Sequence, residues 1–180
     1  MAEVDRHTRR AAKISDDGRY RYALLRRWGD GPAATFILLN PSTADAEHDD
    51  PTIRRCVRFA RTWGYAALHV VNLYALRATD PAELLTADDP VGPDNDGYLT
   101  RHAWRSRMAQ APLVAGWGVG ADPGRVRQVL AYPPMCDLRC LGYTADGSPR
   151  HPLYMRADSP LLPWPAGPKV PSSAAEGPAA

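Results

Sequence analysis

Four residues able to do chemistry each stand just beyond an apolar run: Asn40 after Phe36-Ile37-Leu38-Leu39, Asn72 after Ala66 to Val71, Trp117 after Pro112 to Gly116, and His151 in the late loop after Leu138 to Leu141. An Asn amide can hold a water through its oxygen while donating through its nitrogen, and it can read the amide edge of a nucleobase. An imidazole can donate to an oxygen that gains charge as a leaving group departs. Together these groups suit removal of a stabilised leaving group, such as a base from a sugar. Asp45 is the nearest carboxylate to the first loop and a candidate base. Each residue also has a structural alternative: Asn40 before Pro41 can fix its loop, Asn72 and Asp45 can bond their own turns, and Trp117 can plug the core.

Other chemistries fit poorly. Ser42 lies outside a nucleophile elbow, and no Cys falls at a strand-end loop with a His. Gly116-Trp117-Gly118-Val119-Gly120 lets backbone approach a ligand but lacks the spacing and the later acidic residue of a dinucleotide fingerprint. Cys56, Cys136 and Cys140 match neither a disulfide framework nor a four-ligand metal site, so they read as packing residues. No cofactor and no metal is expected.

The elements that must position these groups follow from patterning. Residues 1–18 are polar, without a sustained period, and read as a flexible arm. Arg19 to Trp28 reads as an edge strand, and the turn Gly29-Asp30-Gly31-Pro32 leads to a second strand over Thr35 to Leu39, which predicts an antiparallel hairpin. Asp50-Pro51 starts a helix whose stripe Ile53, Cys56, Val57 and Ala60 is buried, with Arg54, Arg58 and Arg61 on another face. That arginine face is either solvated or a phosphate contact. After the strand at Ala66 to Val71, a short helix is expected in DPAELL. A longer one follows from about Asp96 to Met108, capped by Asp94 or Asn95, with Leu99, Ala103 and Trp104 facing inward. Asp122-Pro123 opens a further helix, and from about Gly167 a Pro/Ala/Ser-rich tail should be disordered.

The order β-β-α-β-α-β-α-β predicts an α/β fold of three layers, α/β/α, around a mostly parallel sheet of about four to five strands with an N-terminal antiparallel edge strand. One domain spans residues 19–166. Parallel strands deliver their loops to one sheet edge, so Asn40, Asn72, Trp117 and His151 should converge.

A formal net charge of +2 over 180 residues does not by itself mark a nucleic-acid binder. No run of 18 apolar residues exists, so a soluble cytoplasmic monomer without a membrane partner is expected.

The segments LLNPSTAD, DPT, VNLYALRATDP, GPDND, WG and GxPRHPLY, over roughly residues 20–156, resemble the uncharacterised-domain family DUF1643. LLNPS, VNLYALR, LVAGWG and HPLY more distantly resemble, in order and in strand-end placement, the motifs of the uracil-DNA glycosylase superfamily. That resemblance implies a glycosylase-like domain that binds a nucleobase or nucleotide and hydrolyses an N-glycosidic bond. Asn40 would position the attacking water and His151 would stabilise the departing base. Pro41, Ser42, Thr43 and Asn72 would line the substrate site, with Arg77, Asn95, Trp117, Gly118 and Tyr154. Leu153 or Tyr154 would wedge into nucleic acid when a nucleotide is flipped out, beside Arg54, Arg58 and Arg61. The chain departs from the superfamily where Leu38 and Ser42 replace glycines of the water loop, and where HPLYM replaces HPSP. The alternatives are a non-catalytic nucleic-acid-binding module or an enzyme acting on free nucleotides.

Overall fold

The computed structural model describes residues 9–165. The expected tail from residue 167, and the first eight residues of the expected arm, lie outside them. Seven strands form one sheet: β1 (Arg9–Ile14), β2 (Arg21–Arg27), β3 (Ala33–Leu38), β4 (Ala67–Asn72), β5 (Leu113–Ala115), β6 (Leu138–Cys140) and β7 (Leu162–Pro163), in the order β1-β2-β4-β3-β5-β6-β7. The four central strands β4, β3, β5 and β6 are parallel, whereas β1, β2 and β7 pair antiparallel at the edges. The sheet is thus wider than the four to five strands expected. Residues 9–14, read as part of an arm, form its edge by pairing with β2.

The expected hairpin is replaced by an insertion. β2 pairs with β4, and β3 lies on the far side of β4. The turn at 29–32 carries the chain across the start of β4: Ala66 O accepts from Trp28 N and Gly29 N at 3.0 and 3.2 Å, and Ala66 N donates to Pro32 O at 3.0 Å. Gly31 has φ +143, and a Cβ there would come within 3.2 Å of the Ala66 Cβ. The glycine therefore makes room for the intruding strand rather than closing a hairpin.

Three helices cover the sheet: α1 (Pro51–Thr62), α2 (Asn95–Met108) and α3 (Pro123–Leu130). α1 and α3 start as Asp-Pro predicts: Asp50 Oδ1 accepts from Ile53 N at 2.8 Å, and Asp122 Oδ2 from Arg125 N at 2.7 Å. Side chains of β3 alternate between two clusters. Ala34, Phe36 and Leu38 join Ile53, Cys56 and Phe59 of α1. Ile37 joins Leu99 and Ala103 of α2 and Val129 of α3. On α2 the buried stripe is Asn95, Leu99, His102, Ala103 and Ser106. Trp104, expected inside, is 42% exposed, because at 100° per residue it points well away from the arc that Leu99, Ala103 and Ser106 define.

Polar groups fill the places where the α2 stripe is not apolar. Ser106 Oγ donates to Thr35 Oγ1 at 2.7 Å, and Asn95 Nδ2 donates to the carbonyls of Asn72 and Leu73 at 3.0 Å each. Asn95 was expected to cap α2 or to meet substrate; its amide instead fastens α2 to the end of β4. Arg125 adds a second tie, donating to Leu73 O at 2.9 Å and pairing with Asp96 at 2.5 Å.

His69 of β4 and His102 of α2 meet edge to face with ring centroids 4.7 Å apart. Burial pushes both imidazoles down, His69 to about 4 and His102 to about 3, with the nearby Arg27, Arg101 and Arg105 charges acting in the same direction. Both are neutral in the native state at pH 7. The unfolded chain binds protons on these groups below its ordinary value near 6.5, so the stability they permit is fully present above about pH 6.5 and is lost as pH falls toward 4. Urea unfolding at pH 7 and pH 5 should show a smaller loss in a His69→Gln/His102→Gln variant than in wild type. Equal losses would contradict the assignment.

Candidate functional site

A cleft of about 360 Å³ opens at the carboxyl ends of the parallel strands. That volume falls within the range of small-ligand sites, and the location follows the rule for open α/β sheets. Its walls come from four segments: Leu38, Leu39, Asn40 and Ser42 at the end of β3, Ala78, Thr79 and Pro81 after β4, Trp117 to Val119 after β5, and His151 and Tyr154 after β6. Arg21 and the start of α1, Asp50 to Ile53, complete it.

The long connection from β3 to α1 is held by two arginines of β2. Arg26 is 1% exposed; its Nε pairs with Asp49 at 2.7 Å and its Nη2 donates to Asp45 O at 2.6 Å. Arg21, also 1% exposed, donates from Nη1 to Ala44 O at 2.5 Å. The two would face opposite sides of a regular strand. In the β1–β2 register, Ile14 faces Arg21 while Lys13 faces Ala23, so Tyr22 is the extra residue of a bulge that turns Arg21 toward the cleft.

Asn40 lines the cleft, and its Nδ2 donates to Ala78 O at 2.8 Å and Pro41 O at 3.1 Å. Ala78 N returns a bond to Pro41 O at 3.0 Å, so the loops after β3 and β4 are stapled together. Using Nδ2 this way orients Oδ1 as the free acceptor: no hydrogen bond from the described residues reaches it. The loop-fixing role and the water-holding role are therefore compatible in one side chain.

His151 also lines the cleft, and its Nδ1 accepts from Leu153 N at 3.3 Å, capping the single turn Pro152–Tyr154. Burial lowers its pKa, opposed by the charge of Asp50. The imidazole is neutral with the proton on Nε2, leaving that N–H as a donor. The glycines around Trp117 explain how this turn docks. Gly116 would put a Cβ 3.0 Å from Pro152 Cδ; Gly118, at φ +74, would put one 3.3 Å from the His151 Cβ and donates its N–H to Pro149 O at 3.0 Å. Trp117 is 3% exposed and packs edge-on against Trp164, so its ring is mostly core while its backbone borders the cleft. Arg55 of α1 donates to the carbonyl of Met155, fastening the far end of the same turn.

Asp45 is absent from the lining, and its carboxylate accepts from the backbone of Glu47 and His48 at 2.8 Å each, closing its own turn. Thr43 is exposed and Pro41 buried, neither in the lining. Asn72 is fully buried with neither amide atom bonded, and it lies outside the lining. Arg77 also lies outside it, with Nη1 donating to Gly18 O at 3.1 Å. The carboxylate that does face the cleft is Asp50: one oxygen caps α1, and its charge acts on both His151 and Arg21. Sequence reading took Asp50 only as a helix start, and nothing in the Asp-Pro dipeptide separates a cap from a cap that also faces a ligand.

Leu38 and Ser42 both line the cleft without closing it. Beside it, Arg54, Arg58 and Leu153 border a second, shallower depression with Pro51 and Arg55. Arg61 is apart from them, stacked over the Trp28 ring at 4.9 Å. Leu153 and Tyr154 are 40% and 77% exposed. Among the described residues no cluster of three or more His, Cys, Asp or Glu could hold a metal ion, and no helix is long and apolar enough to cross a membrane.

Fold and cleft together define a mixed α/β protein with a polar site at the carboxyl edge of its parallel strands. The chain belongs to the family described as "Protein of unknown function (DUF1643)", whose model matches residues 21–153. That span contains every wall of the cleft except Tyr154. No curated protein and no solved structure matches the chain.

Because Gly118 is left-handed and faces the His151 turn, Gly118→Ala should cost about 1–2 kcal/mol in denaturant unfolding and shift the His151 ring resonances. Unchanged stability with unmoved resonances would show that this glycine does not position the turn.

Proposed function

We propose that the cleft binds a nucleobase or nucleotide and hydrolyses an N-glycosidic bond, in the manner of the uracil-DNA glycosylase superfamily and on its three-layer α/β/α fold. The observation that carries the reading is the pair Asn40 and His151 in one cleft, each with one polar atom used structurally and the other available to a ligand. The packing of α1 on one face of the sheet and of α2 and α3 on the other supports the fold half of the proposal.

The chemistry divides among three groups. Asn40 Oδ1 accepts a hydrogen bond from a water aimed at the anomeric carbon. As the oxygen of that water bonds to the carbon, the carbon–nitrogen bond breaks and its electron pair leaves with the base. His151 Nε2–H donates to the base oxygen that gains charge. The carboxylate of Asp50, not Asp45, takes the proton of the water and favours the positive charge that develops on the sugar.

Asn40→Ala and His151→Ala should each lower base release by about 10²-fold or more, the effect of losing one preorganised group, while Asp45→Ala leaves it near wild type. Release unchanged in the first two, in folded protein, would remove them from the mechanism.

A second reading has its own observation, the depression edged by Arg54, Arg58 and the exposed Leu153. In a nucleic-acid-binding module these arginines meet phosphates and Leu153 or Tyr154 meets a displaced base. Replacing Arg54 and Arg58 together by Gln should then reduce the salt slope of DNA binding by about 2, since each phosphate contact contributes nearly one unit. An unchanged slope would count against that surface.

A further inference from the structure

Three arginines are buried among the described residues: Arg21, Arg26 and Arg125. Arg26 is paired with Asp49 at 2.7 Å and Arg125 with Asp96 at 2.5 Å. Arg21 has no such partner. Among the described residues its one hydrogen bond goes to Ala44 O, its Nε is buried without a partner, and no carboxylate lies within 4.0 Å of it. It is also the only one of the three that lines the cleft.

A guanidinium taken out of water without a counter-charge is costly, and removing its partner typically destabilises a protein by several kcal/mol. Burial pushes Arg21 down to about 10, which leaves it charged at neutral pH. The charge of Arg77 disfavours it further, and Arg77 likewise has a buried Nε with no partner. Asp50 and Asp45 oppose these effects through space only. Arg21 and Asp50 are the charged side chains of the lining, and Arg77, Arg26 and Asp45 act on Arg21 from outside it.

We propose that Arg21, supported by the field of Arg77, is an anion subsite that takes the phosphate of a nucleotide whose base meets Asn40 and His151. The subsite rests on the nucleobase reading for the identity of its ligand, but not for its charge. A phosphate offers oxygens to the guanidinium in charge-assisted hydrogen bonds that a nucleoside cannot make. A phosphate between Arg21 and the sugar would also favour positive charge on the sugar during bond cleavage.

Calorimetry on the full chain would compare four nucleosides, their 5′-monophosphates, a short single-stranded oligodeoxynucleotide and inorganic phosphate, with wild type and Arg21→Gln. The best phosphorylated ligand should bind wild type about 10-fold or more tighter than its nucleoside, and Arg21→Gln should bring that ratio close to 1. Preference for the oligonucleotide or for the monophosphate tells a polymer substrate from a free one, and either supports the subsite. Nucleosides binding as tightly as their phosphates would overturn the subsite and leave the nucleobase reading intact. Phosphate binding that depends on Arg21, with no nucleoside binding, would keep the subsite and overturn the base. If Arg21→Gln fails to fold, the Arg21 Nε–H resonance of wild type decides: it should shift as inorganic phosphate is added, and a resonance unmoved at saturating phosphate overturns the proposal.

Discussion

The burial of two guanidinium groups beneath the loop from β3 to α1 is the constraint on which the site depends. This loop runs from Leu39 to Asp50 without regular structure and must still present Asn40, Ser42 and Asp50 in fixed positions. Arg26 holds its far half through Asp49 and the Asp45 carbonyl, and Arg21 holds its middle through Ala44. Each arginine removes backbone carbonyls from the list of buried groups in need of a partner, so the loop can pass over the sheet edge without a strand of its own. The cost is two charges in a dry place, and the two are settled differently: Arg26 by a carboxylate, Arg21 by one carbonyl and an open cleft.

The rest of the architecture follows from how the strands are ordered. β3 is central because β4 joins it on one side and β5 on the other, and the loops after β3 and β5 part at that point. Insertion of β4 between β2 and β3 brings Arg21, at the start of the antiparallel β2, to the edge where those loops emerge. Small residues then allow the late turn to close the cleft. Gly116 and Gly118 leave space for Pro152 and His151, and Asn40 joins the β3 loop to the β4 loop through Ala78. The site is a rigid assembly of cross-bonded loops, which suits chemistry that depends on orientation.

Much of this was legible in the sequence, because local signals decided it. The Asp-Pro helix starts, the apolar runs of β3, β4 and β5, and the strand-end positions of Asn40, Trp117 and His151 are all set within a few residues. What stayed hidden depends on long-range pairing. Nothing in residues 9–14 announces a strand until β2 offers it an edge. Gly29 to Pro32 has the composition of a hairpin turn and becomes a bridge over β4 only because Ala66 fits beneath it. Arg21 and Arg26 look like exposed residues of an edge strand; the bulge at Tyr22 and the covering loop bury them. Asn72 and Asn95 matched family segments, yet Asn95 is used to fasten helix to strand. Trp104 is large and apolar, yet its angular position on α2 turns it toward solvent.

The central claim is that Asn40, Asp50 and His151 face one ligand. The most direct measurement is a titration of the isotopically labelled chain with nucleosides, following backbone amides by NMR. The amides of Asn40, Ser42, Thr52, Ile53, Trp117, Gly118, Val119, His151 and Tyr154 should shift together along one binding curve, while those at Leu84, Leu85 and Val91 in the adjoining apolar groove stay in place. Shifts confined to that groove, or the absence of a saturable shift at the strand-end loops with any nucleoside, would contradict the claim.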